Sequence, residues 1–334
     1  MNAVPPHHRT DGAERPPGPH RPLLGFALLS AVLAAVCCVG LAVDGRMVAG
    51  EPVWLKPLKF AVSFGLYAAA LAWMFGRFPR WRRTLWWLGT AITAALLVET
   101  AAITFQAARG RRSHFNFATG LDEAVQNAMG AASVVLVLFT LAIGVLLVWQ
   151  RRVDRPMAWA IRAAVLLSVA GMAFGPMMTQ PTPDQLQALE GGADLAVMGA
   201  HTVGAPDGGA GMPLTWWSTT GGDLRIPHFA GLHALQVLPL FALGITLLAA
   251  RVPVLRGEGA RLGLVAVAAA GYTGLIVLLA WQAFRGQPLL QPDAATLAAA
   301  GALALGTVLG AAAVLAASAR RLRSGAPERR ARVG

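Results

Sequence analysis

Charge is what this chain has least of. Only 13% of its 334 residues are Asp, Glu, Lys or Arg, about half the share of an average soluble domain. That scarcity argues against a soluble enzyme and leaves no room for a sizeable soluble domain. Lysine is scarcer still, because Lys56 and Lys59 are the only two among 28 basic residues. Cysteine is confined to the neighbours Cys37 and Cys38. Adjacent residues cannot close an ordinary disulfide without strain, and there is no C-x-x-C, so no redox or disulfide framework is read. No internal repeat supports an inverted-repeat transporter.

Apolar residues are what the chain has in abundance, 56% of the total, with a mean hydropathy of +0.56. They come in blocks separated by arginine clusters. Eight blocks approach or exceed the ~20 residues that cross ~30 Å of hydrocarbon. They run from Leu23 to Val43, Phe60 to Phe75, Leu85 to Gln106, Gln126 to Trp149, Met157 to Met178, His228 to Ala250, Leu262 to Ala283 and Ala294 to Ala317. The second reaches full length if it starts near Trp54. The first is longer than the core of a secretory signal, so it reads as a retained span. The expected fold is an all-α polytopic membrane bundle of about eight helices over 23–318. A disordered tail over 1–22 and a basic tail over 319–334 flank it.

The net charge of +12 is distributed as membrane orientation requires, in clusters beside spans, which argues against nucleic acid. With eight spans, nineteen Lys and Arg fall on the side of the termini and six on the other. The positive-inside rule then places both termini in the cytoplasm. The expected location is a bacterial-type plasma membrane, with lipids as the surroundings and no oligomeric state implied. The connection over 179–227 is unusually long. It is rich in glycine yet holds Trp216 and Trp217, which suits a lid or re-entrant segment as well as it suits a floppy loop with interfacial anchors.

Four of the seven histidines map to the far side from the termini: His114, His201, His228 and His233. His7, His8 and His20 belong to the tail and read as inert. In Pro227-His228-Phe229-Ala230-Gly231-Leu232-His233-Ala234-Leu235-Gln236, Pro227 suits a helix start. The two rings diverge by about 140° on a regular helix, so they share a metal only if the first turn is distorted. Gln236, on the face of His233, can orient its ring. Glu99 lies two turns inside the third span, where an unpaired carboxylate is costly. Its expected partners are Lys56, Lys59 or a histidine, and a plain buried ion pair is the alternative. Lys56 and Lys59 share a face and suit a proton donor or an anion clamp, or simple snorkelling. Arg109, Arg111 and Arg112 run against the topology bias and suggest an anionic group. Asp122 and Glu123 suit a helix N-terminus. Gly171 and Gly175, four apart, read as close helix packing, and Met172, Met177 and Met178 as filler or, beside the histidines, as copper ligands.

Three function classes stay open. The first is a membrane enzyme or redox protein in which His114, His228, His233 and His201 bind haem or a transition metal (Fe, Cu or Zn). Glu99, Lys56 and Lys59 would be its catalytic groups, and Arg109, Arg111, Arg112, Gln236 and Trp217 would hold an anionic or lipid-like small molecule. The second is a proton-coupled transporter or solute-binding protein. The third is an assembly factor or sensor without catalysis.

Overall fold

The computed structural model describes residues 18–76, 80–148 and 154–324. Among them, eight helices are long and apolar enough to cross a membrane. They are α1 (Arg21–Val43), α2 (Leu55–Phe75), α3 (Arg82–Ala108), α4 (Gly120–Val148), α5 (Arg155–Met172), α8 (Arg225–Leu248), α9 (Glu258–Phe284) and α10 (Ala294–Arg323). Two short helices, α6 (Phe174–Met178) and α7 (Pro183–Glu190), follow α5. The protein is an all-α, multi-pass membrane bundle.

Several helices start earlier than their apolar blocks. Lys56 and Lys59 lie inside α2, Asp122 and Glu123 in the first turn of α4, and Glu258 heads α9. A polar first turn is helical all the same, because acidic side chains there complement the exposed N–H groups. His20 also departs from the expected tail. It is buried and caps α1, its Nδ1 accepting from Leu23 N–H at 3.2 Å. Nε2 therefore carries the proton and donates to Trp86 O at 3.0 Å. His7 and His8 lie outside the described residues, as do 1–17 and 325–334 of the two tails.

Proline sets the breaks. Pro176 clashes with a helical carbonyl four residues back, and α5 ends there, at Met172. Among the described residues, α5 and α8 share the most extensive helix–helix contact. A Cβ on Gly231 would stand 2.4 Å from Gly171 Cα, so the two backbones touch, as small residues allow in membranes. Leu71, Met74, Ile92, Leu96, Ile161 and Leu235 fill the core. The α10 helix packs on α9 at the periphery, and its apolar side chains Leu305, Val308 and Leu309 are exposed, as a lipid-facing helix requires.

The connections 44–54, 109–119, 173–224 and 285–293 gather at one end of the bundle and lock together. The first carries a hairpin, β1 (Met47–Val48) with β2 (Glu51–Pro52). The third carries a second pair, β3 (Thr202–Val203) with β4 (Gly222–Asp223). Gly50, at φ +80°, lies so close to Gly208 O that a Cβ would sit 2.4 Å from it. Trp216 Nε1 donates to Gly50 O at 2.8 Å, and Arg46 Nη1 to Ala108 O at 3.0 Å. The segment 179–227 thus forms a folded cover across the helix ends, although its last three residues, Arg225 to Pro227, already belong to α8.

Candidate functional site

Beneath this cover lies a cavity of about 70 Å3, lined by Glu51, Lys56, Arg111, Arg112, Ser113, His114, His201, Asp207, Trp216, Ser218 and Arg225. A water needs ~10–15 Å3 by the same kind of measure, so several waters or one small polar group fit.

Local structure brings the lining residues together. Gly110, at φ +67°, ends α3 in a Schellman turn: its N–H donates to Ala107 O and that of Arg111 to Gln106 O, both at 2.9 Å. The left-handed residue reverses the chain and swings Arg111 to His114 over the helix mouth. Asp207 holds the cover from within by accepting from the N–H groups of His201 and Thr202 at 2.9–3.1 Å. Asp223, 1% exposed, grips Arg225 through Nε and Nη2, and Arg225 Nη2 also donates to Trp216 O at 2.8 Å.

Four cations and two carboxylates line the cavity. The carboxylates are engaged: Glu51 by Lys59 at 2.8 Å and Asp207 by His201 Nδ1 at 3.1 Å. Arg225 is engaged by Asp223. Among the described residues, Lys56, Arg111 and Arg112 have neither a side-chain hydrogen bond nor an ion pair.

Burial pushes His114 well below the usual imidazole range, and the Lys56 charge and the neighbouring His201 and His228 push the same way. Burial also lowers His201, partly offset by its bond to Asp207. Burial would raise Asp207, but bonds from the His201 ring and from backbone N–H groups outweigh it and hold the carboxyl below its ordinary range. A carboxylate only accepts, so His201 carries its proton on Nδ1 and presents a bare Nε2.

Five residues singled out from the sequence line this cavity: Lys56, Arg111, Arg112, His114 and His201. Others do not. Arg109 donates to Gln106 Oε1 and to Asp122 Oδ1, which is fully buried, so it is a structural strut. Lys59 is spent on Glu51 and on Thr215 O, at 2.8 and 2.9 Å. Trp217 makes a backbone bond to Met212, and its neighbour Trp216 faces the cavity instead. Glu99, 2% exposed, meets no lysine or histidine directly. Its Oε1 accepts from Ser133 at 2.7 Å and its Oε2 has no partner.

The four histidines do not converge. His228 Nδ1 donates to Gly171 O at 2.8 Å. His233 lies between Gln236 Oε1 at 3.3 Å and Ser63 Oγ at 3.5 Å. His114 Nδ1 lies 3.0 Å from Ser113 Oγ. Among the described residues no three His, Cys, Asp or Glu side chains are grouped to hold a metal ion. The expected metal set of His114, His228, His233 and His201 is therefore not gathered into one group among the described residues, where each ring has a different neighbour at Nδ1.

Glu51, Asp207, Ser218 and Arg225 were not singled out from the sequence, and Trp216 stood out there only as an interfacial anchor. Arg225 had a signal, Asp223-Leu224-Arg225 directly before the Pro227-His228 string. Comparison with protein-family models, with curated proteins and with solved structures gave no match.

Proposed function

We propose that this membrane protein binds a small anionic molecule in the cavity between α2, the 109–119 turn and the 179–227 cover, as a solute-binding protein or transporter does. One observation carries the reading: Lys56, Arg111 and Arg112 surround one cavity without partners, while Lys59, Arg109 and Arg225 nearby are each paired. Unpaired cations brought together at one cavity, Lys56 and Arg112 half-buried and Arg111 exposed at its edge, repel one another, and a guest anion relieves that cost. Arginine forks and a lysine point charge suit an oxyanion, which accepts several charge-assisted hydrogen bonds at once. The hydroxyls of Ser113 and Ser218 offer adaptable further contacts.

The test is a thermal-shift panel on the detergent-purified chain with sulfate, inorganic phosphate, a short-chain dicarboxylate and, as a cationic control, choline. Saturable stabilisation by inorganic phosphate and sulfate is expected, and none by choline. Equal response to all four, or to none, contradicts anion binding.

A further inference from the structure

We infer that the cavity takes its anion together with a proton, and that the proton rests on His114. The inference builds on the anion-binding reading above and assigns a second ligand, the proton, to a named atom set.

His114 stands on the cavity wall with Nδ1 against Ser113 Oγ and with Nε2 free of any protein partner among the described residues. A serine hydroxyl donates or accepts as required. Ser113 therefore serves the neutral ring by donating to Nδ1 and the protonated ring by accepting from it. No rearrangement is needed for the ring to change charge.

The surroundings decide when it does so. Lys56 faces the ring from α2, His228 from α8 and His201 from the segment leading into β3, and Arg112 adjoins it on its own turn. Phe60 and Phe115 cover it with ring contacts at 5.7 and 6.0 Å. Every ionisable group in that set is a cation or a base. The carboxylates of the cavity, Glu51 and Asp207, are already held by Lys59 and His201. With no guest, His114 is a half-buried base among cations and stays neutral. An anion seated on Lys56, Arg111 and Arg112 reverses the sign of the nearest free charge and favours the imidazolium. By linkage, whatever factor the anion adds to proton affinity the proton adds to anion affinity.

The experiment is calorimetric titration of the full chain in detergent with sulfate, which carries no titrating proton of its own near neutrality. It is run at about pH 5.5 and about pH 7.5, around the ordinary imidazole value, each in two buffers of different ionisation enthalpy. Sulfate affinity should rise as pH falls, by at most about tenfold per pH unit for one coupled proton, with buffer-dependent heat at the lower pH. His114→Gln should bind sulfate with a flat pH profile and no proton uptake. Isotope-labelled histidine in the unmutated chain gives the same readout without a variant: sulfate should move the His114 ring signal to its protonated position at the lower pH. Proton uptake that persists in His114→Gln, or sulfate binding to the native chain without proton uptake, overturns the inference and leaves anion binding standing. If neither sulfate nor inorganic phosphate binds, the anion reading falls and takes the proton with it.

Discussion

Lys59 Nζ lies 2.8 Å from Glu51 Oε2, so the β1–β2 hairpin is tied to α2 by the lysine that does not line the cavity. Lys56, one turn earlier on the same helix, is thereby left without a carboxylate of its own. The two lysines are placed differently, Lys59 fastening the hairpin and the cover and Lys56 lining the cavity.

That division separates two variants. Lys56→Met should fold and lose anion affinity by about tenfold or more, the scale of one charged hydrogen bond at ~1.5–3 kcal/mol. Lys59→Met should instead leave Glu51 unpaired beside the cavity and loosen the hairpin. Protease accessibility of 44–54 separates them, since it should rise in Lys59→Met alone.

The Gly171–Gly231 contact is a second point of stress. A Cβ on either residue would enter the other's backbone, which cannot move aside as a flexible side chain can. Gly231→Val should therefore cost about 3 kcal/mol or more, the upper end of overpacking penalties. It should also break the His228 bond to Gly171 O. A fall in the melting midpoint of the detergent-solubilised protein measures this, with Gly244→Val as a control because nothing lies within 4 Å of a Cβ there.

Glu99 should behave unlike a salt-bridged acid. Its only hydrogen bond comes from Ser133, and Oε2 is buried without a partner. Removing one member of a true buried ion pair costs ~3–5 kcal/mol. Glu99→Gln removes the charge and keeps the shape, so the melting midpoint should hold or rise. A large drop would show an ionic partner that the geometry does not contain.

Stability should also fall in mild acid. His114 and His201 both sit below the ordinary imidazole value of 6.5 in the folded chain, so below that pH the unfolded chain binds more protons than the folded one. The folded state is then progressively disfavoured as pH drops from 6.5 toward the depressed folded values. Asp207, held below its ordinary 3.8, contributes its own loss only in stronger acid. Melting midpoints between about pH 7.5 and pH 5 should decline without added anion, and less steeply in His114→Gln.

Much of the architecture can be read from the sequence. The apolar blocks mark the eight helices, and the α2 start beside Trp54 follows from the length a span needs. Lys56, Arg111, Arg112, His114 and His201 stand out because charge and imidazole are rare here. What the sequence hides is pairing. Arg109 resembles Arg111 and Arg112 until Asp122 and Gln106 close on it. Lys59 resembles Lys56 until Glu51 folds over from a hairpin only two residues per strand. The cover is equally opaque, since its shape depends on Asp207 binding back to His201 and Thr202 and on Trp216 reaching Gly50 across 166 positions. Contacts of that kind leave no periodicity to read. Nor does the sequence show that Gly171, Ser113, Asp207 and Gln236 each lie against one ring, with no metal-holding group among the described residues.

The most direct measurement is equilibrium dialysis of radiolabelled inorganic phosphate against the purified native chain and Lys56→Met. Saturable binding near one per chain is expected, weakened about tenfold or more by the substitution. No saturable uptake, or equal uptake by both proteins, contradicts anion binding in the cavity.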